Sequence, residues 1–273
     1  MLGRIMTIEA PSMVLWRTGI AAVGMWIWLA VAAPGLLRLP RRVARDAIGV
    51  GCLIGAHWIC FFWSISLANI SVALAGFATI SLFTAITEPL IARRPVRPTE
   101  ILTGIIVIVG IVLIAGLETR YLAGFSVALA GSVLAALFPV FNRAFMQQGH
   151  SSRAIFLYEM WGAVLMCVTW IALTPRFTFE VPRADDWLPL LTLAILCTLV
   201  AQTWNIHLLR RITAFTSNLA FNFEPVWGII LGAILFHEYK DLHPAFYLGT
   251  LLIVAANFLD PVLRRRAAGR TRP

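Results

Sequence analysis

Apolar residues in this chain fall into nine runs of helical length, over residues 12–34, 46–67, 70–91, 99–117, 124–146, 154–174, 187–209, 213–236 and 246–263. At a rise of about 1.5 Å per residue, runs of roughly 17–25 residues match the ~30 Å hydrocarbon core of a bilayer. The pattern predicts an all-α integral membrane protein with nine transmembrane helices.

The polar gaps between the runs carry a second pattern. Of the 22 basic residues, sixteen fall in every second gap and in the tail: Arg38, Arg41, Arg42 and Arg45; Arg93, Arg94 and Arg97; Arg143 and Arg153; Arg210 and Arg211; then Arg264, Arg265, Arg266, Arg270 and Arg272. Arg4, Arg17, Arg120, Arg176, Arg183 and Lys240 are assigned to the opposite side. Positive charge is retained on the cytoplasmic side during insertion, so the C-terminus is expected inside and the N-terminus outside. The expected location is the inner (plasma) membrane of a bacterium, with multiple passes. The longest extramembrane stretch, Pro175 to Asp186, falls outside, and its acidic residues have little influence on orientation.

Composition removes other classes. The chain is 60% apolar and 13% charged, with a mean hydropathy of +0.84, against roughly 45–50% apolar in soluble domains. Nine spans in 273 residues leave no room for a sizeable soluble domain, so recognition must occur within the bundle or at its mouths. A net charge of +9 is compatible with nucleic acid. The basic residues, however, sit where chain leaves the membrane, so no nucleic-acid partner is expected. The tail arginines instead suit anionic headgroups of membrane lipid. Cys52, Cys60, Cys167 and Cys197 lie inside apolar runs without a CxxC pair, reading as small buried hydrophobes rather than disulfide or metal positions. Ala30-Val31-Ala32 has a small-x-small form, but the apolar run before it is too long, and holds Arg17, for a cleaved signal peptide.

Ionisable groups inside spans carry most of the functional information, because each costs about 2.5–3.5 kcal/mol at the bilayer centre even on insertion scales. Four stand out: His57, Glu88, Glu159 and Glu224. Glu224 falls near mid-span and precedes Pro225, which frees the carbonyl of Phe221. A carboxyl beside an unpaired carbonyl suits a cation, an amine or a proton. Asn218 and Asn222 add polar groups one turn apart on the same run. His57 also falls near mid-span, where it is either an interhelical hydrogen-bond donor or one half of a proton-sharing pair with an acid. Glu88-Pro89 repeats the dipeptide close to Arg93, near enough to the interface to snorkel, and Glu159 is a candidate inner-vestibule acid. Each acid has a structural alternative as a protonated group bonded across helices. Trp63, Trp161, Trp204 and Trp227 read first as interfacial anchors, second as walls of a path for an amphipathic solute.

These segments together resemble the EamA-type family of the drug/metabolite transporter superfamily. The resemblance rests on Pro11-Ser12-Met13-Val14-Leu15-Trp16-Arg17 followed by Ala21-Ala22; on Ala56-His57-Trp58 through Phe62 with Leu67-Ala68-Asn69-Ile70; and on Leu82-Phe83-Thr84 through Glu88-Pro89. Near the end it continues in Glu224-Pro225-Val226-Trp227, His237-Glu238 and Leu248-Gly249-Thr250. It implies a ten-helix bundle of two inverted five-helix repeats, exporting small metabolites by alternating access. Residues 1–117 would be the first repeat without its first helix, 124–263 the second, and 264–273 a basic cytoplasmic tail. Nine runs against ten helices lead to the expectation that the family's first helix is missing.

The expected function is a secondary exporter, proton-coupled, for amino acids, their analogues or amphipathic drugs. Glu224 and His57 form the expected proton- or solute-linked pair, with Asn222, Asn218, Glu159 and Glu88 along the pathway and Pro89 and Pro225 as helix interruptions. A facilitative permease or channel is the alternative. Intramembrane proteolysis lacks its residues: Ala130-Gly131-Ser132-Val133 misses the serine motif, and His237-Glu238 is followed by Tyr239-Lys240-Asp241 rather than a ligand histidine. No catalytic activity, cofactor or metal is expected. A homodimer is compatible with the sequence.

Overall fold

The computed structural model describes residues 5–92, 98–117, 119–221, 223–240 and 242–270. Every apolar run carries helix, and no strand occurs among the described residues. The elements are α1 (Ala10–Ala32), α2 (Arg41–Leu67), α3 (Ile70–Phe77), α4 (Ile80–Ala92), α5 (Pro98–Leu117) and α6 (Leu122–Gln147). They continue as α7 (Ser152–Leu173), α8 (Trp187–Ala194), a π-helical stretch (Ile195–Val200), α9 (Ala201–Leu208), α10 (Ala214–Phe221), α11 (Phe223–Phe236) and α12 (Pro244–Arg270). Among the described residues, six stretches are long and apolar enough to cross a membrane, and shorter apolar helices cover Leu102–Ile114, Val226–Phe236 and Pro244–Ala256. The protein is an all-α membrane protein. Helix α12 runs past the expected span end at 263 into the basic tail. Arg93, Arg94, Arg97, Asn222 and Arg272 lie outside the described residues.

Two compact units form, one from Met1–Trp63 with Phe138–Thr213, the other from Ser64–Leu137 with Ala214–Pro273. In the first unit α1 packs along α7 and α8. Pro11 starts α1, where its missing N–H is no loss and its fixed φ already suits a helix. Helices α2 and α7 meet backbone to backbone. A Cβ built on Gly51 would lie 2.0 Å from the carbonyl oxygen of Glu159, and one on Gly162 would lie 2.1 Å from that of Ile48. Cys52 Sγ donates to the Gly162 carbonyl at 3.3 Å across the same seam. Small residues are what allow helices to approach this closely in lipid, where apolar side chains gain nothing by leaving the solvent.

The same unit ties its N-terminal segment to the stretch before α8. Ser12 Oγ donates to the Thr178 carbonyl at 3.0 Å and accepts from Glu180 N–H at 3.0 Å, while Trp16 Nε1 donates to the Glu180 carbonyl at 3.0 Å. Thr7 donates through N–H and hydroxyl to the two Asp186 carboxylate oxygens at 2.8 and 2.7 Å.

In the second unit α5 lies on α12, and Gly110 and Gly249 face each other's carbonyls: a Cβ on either would come within 2.7 or 2.9 Å. Val107, Ile114, Phe246 and Ile253 fill the layer around this contact. Helix α3 begins where the Asn69 side chain accepts from Val72 N–H at 2.8 Å, and it stops within eight residues. At the break, Thr79 Oγ1 and Ser132 Oγ donate to the Gly76 carbonyl at 2.6 and 3.1 Å. A broken helix survives in a membrane only when its freed groups find such partners.

Gly162→Ala is expected to destabilise the fold by about 1–3 kcal/mol, because its methyl must displace backbone rather than a flexible side-chain end. Thermal unfolding in detergent reads this as a lower melting temperature. Gly19→Ala on α1, whose methyl meets open space, should leave that temperature unchanged or raise it slightly.

Candidate functional site

The first unit encloses a buried cation that the polarity pattern had assigned to a flank. Arg17 sits about 10 Å in from the start of α1 and is 6% exposed. Its guanidinium carbon lies 3.9 Å from the centre of the Trp58 ring and 5.9 Å from that of Phe62, and its Nε donates to Thr198 Oγ1. Thr198 in turn donates to the Leu193 carbonyl at 2.7 Å, five residues back. That spacing belongs to the π-helical stretch, which adds one residue to a turn and so re-aims the threonine. The desolvation penalty of a few kcal/mol is matched in size by a desolvated cation–π contact of about 2 kcal/mol and a charge-assisted hydrogen bond of ~1.5–3 kcal/mol.

His57 precedes Trp58 on α2, is also buried, and packs its ring 5.6 Å from that of Phe138. One and a half turns earlier on the same helix, Gly51 presses on the backbone of Glu159. The Glu159 carboxyl is fully enclosed, with Asn142 beside it, yet neither oxygen meets a partner at hydrogen-bonding geometry, and neither does Asn142 Oδ1. Burial of a carboxyl without such geometry carries a desolvation penalty in a dry site.

In the second unit, Asn218 of α10 is buried and its Nδ2 donates to Thr84 Oγ1 at 2.8 Å. Thr84 donates to the Ile80 carbonyl at 2.8 Å. Glu88, buried one turn further along α4, continues the same face. Glu224 is exposed in the first turn of α11. Pro89 lies inside α4, which continues to Ala92; the interruption in this span falls instead at Ala78 and Thr79. Thus Asn218 and Glu88 share one polar file, while His57 and Glu159 both belong to the first unit. The expected partners His57 and Glu224 belong to different units.

Trp63 is packed edge-on against Trp170 and Phe177, at 6.3 and 5.7 Å, whereas Trp161, Trp204 and Trp227 are exposed. The chain matches the family described as EamA-like transporter family over residues 1–116 and 122–259. It belongs to that family. A solved crystal structure described only as that of a protein is similar to this EamA-type chain at a TM-score of 0.67 and 17% identity, across 96% of this chain and 90% of that one. That likeness concerns the fold alone. A search of curated proteins gives no match.

Arg17 and Thr198 are the EamA-type chain's polar contact that residue-by-residue reading missed. One hint was available: an arginine inside an apolar run, five residues after Ser12, is hard to keep at an interface. Arg17→Lys keeps the charge but loses the planar fork and the stack. It should lower stability by about 1–3 kcal/mol. In a double-mutant cycle with Thr198→Val, the two effects should fail to add by at least ~0.5 kcal/mol in thermal unfolding.

Proposed function

We propose that this membrane transporter is a proton-coupled exporter of small metabolites, moving amino acids, their analogues or amphipathic drugs by alternating access between two inverted repeats. The observation that carries the reading is the enclosed Glu159 carboxyl without a hydrogen-bonding partner, held in a bundle of a transporter family. A chain with so few charges keeps an intramembrane acid at a standing energetic penalty, and proton relays are a common use of such acids.

In this reading Glu224 is the acid that exchanges protons with the aqueous mouths, and His57 is the second proton- or solute-linked group of the cycle. Glu159, Asn218, Asn222 and Glu88 line the remaining pathway. Pro225, directly after Glu224, supports that role, because a proline removes one helix hydrogen bond and freed backbone groups serve ions and solutes in inverted-repeat transporters. Catalysis has no part in this reading. The C-terminus lies in the cytoplasm of a bacterial cell, on the arginine-rich side of the inner membrane.

Proteoliposomes under an imposed pH gradient test this with a panel of amino acids, amino-acid analogues and amphipathic drugs. Saturable, gradient-driven flux is expected for one class, and Glu224→Gln should abolish its proton dependence. Flux that is unchanged in Glu224→Gln at every pH removes that residue from the mechanism. Non-saturable flux indifferent to the gradient would identify a channel instead.

A further inference from the structure

The first unit carries an apolar groove whose lining includes none of its buried polar groups. It has a volume of about 590 Å³, and every wall residue is apolar or aromatic. One wall is α1 from Leu15 to Ile27, the other Trp161 and Val164 of α7. Gly19 forms part of the floor, and a Cβ there would meet open space. The two helices run antiparallel: the start of α7 lies beside the end of α1, and the chain beyond α7 bonds back to Ser12 near the start of α1.

The two ends of the groove differ. At one end Trp16 and Phe179 stack at 5.8 Å, and Trp16 is fixed by its bond to the Glu180 carbonyl. The other end runs out at Ile27, next to Trp28, and there the exposed Arg153 guanidinium sits 4.5 Å over the Trp28 ring. From Trp16 to Trp28 is about 18 Å along the helix, close to the ~15 Å half-thickness of a hydrocarbon core. An apolar groove about 18 Å long, closed at one end by aromatic rings and headed at the other by a cation, matches an acyl chain and its charged headgroup.

We propose that this groove binds one acyl chain of an anionic phospholipid from the leaflet on the Arg153 side. The chain lies over Gly19 and against Trp161, and the headgroup phosphate pairs with Arg153. The volume falls within the ~300–1,000 Å³ of well-formed ligand sites. A surface arginine attracts an anionic headgroup several-fold more strongly than a zwitterionic one, which makes the site selective for headgroup charge without making binding irreversible. Zwitterionic lipids fill the same groove with lower occupancy.

The test uses the full chain in nanodiscs containing phosphatidylglycerol or phosphatidylcholine with a diazirine on one acyl chain, followed by peptide mapping after photolysis. Labelling is expected to concentrate in peptides spanning residues 15–27 and 161–164, several-fold higher with phosphatidylglycerol. Gly19→Leu, which fills the floor, should cut that labelling at least fivefold at unchanged melting temperature. Val23→Phe provides a second filling variant if the first folds poorly. Arg153→Gln should equalise the two lipids. The proposal is overturned by labelling spread across exposed apolar helix faces, by filling variants that label as well as wild type, or by protein–protein crosslinks at the groove showing a second copy there.

Discussion

Lipid tails are as apolar as leucine, so helices in a bilayer gain little from hiding side chains from one another. What holds this protein together must therefore come from close approach and from satisfied polar groups. The α2–α7 seam is the clearest instance. Gly51 and Gly162 remove side chains where the backbones meet, and the contact then extends to Cys52 and the Gly162 carbonyl. The second unit repeats the solution with Gly110 and Gly249. Dispersion between close backbones is small per atom and large over a seam, which explains why both seams carry glycine where the backbones meet.

The same constraint governs the polar groups. Two departures from a regular helix are met by nearby hydroxyls: Thr79 and Ser132 at the Gly76 carbonyl, Thr198 at the Leu193 carbonyl. Thr198 shows how one such repair gains a second role, since its oxygen also accepts from Arg17. Glu159 is the contrasting case, a carboxyl enclosed without a bonded partner. Within one unit, a charged group is fully housed and an acid is left wanting.

The helices were legible in the sequence because a bilayer imposes its thickness on the length of an apolar run. The run predicted over 154–174 is α7 at 152–173, and that over 99–117 is α5 at 98–117. Finer features were not legible, because they depend on contacts between distant segments. The π-helical stretch is set by what Thr198 must reach, and Leu196 or Val200 carries no trace of it. Pro89 looked like an interruption, yet its helix continues, while the break at Ala78–Thr79 is sustained by Ser132 from another helix. Arg17 was read as a flank because local sequence does not show Trp58 approaching it from another helix. Among the site candidates, Glu159 and His57 were visible from their chemistry, but their burial is a property of the folded unit.

The interleaving of the two units bears on how the chain is made. The first unit joins residues before Trp63 to residues after Phe138, and the second closes only with the final helices. During synthesis, α1 and α2 enter the bilayer while more than half of the chain is still untranslated. Their glycine notch then faces lipid or an insertion factor, and Ser12 waits for Thr178 and Glu180 to emerge. Membrane insertion and tertiary assembly are thus separate events in time for this protein. The early helices must hold their place in the bilayer on hydropathy alone.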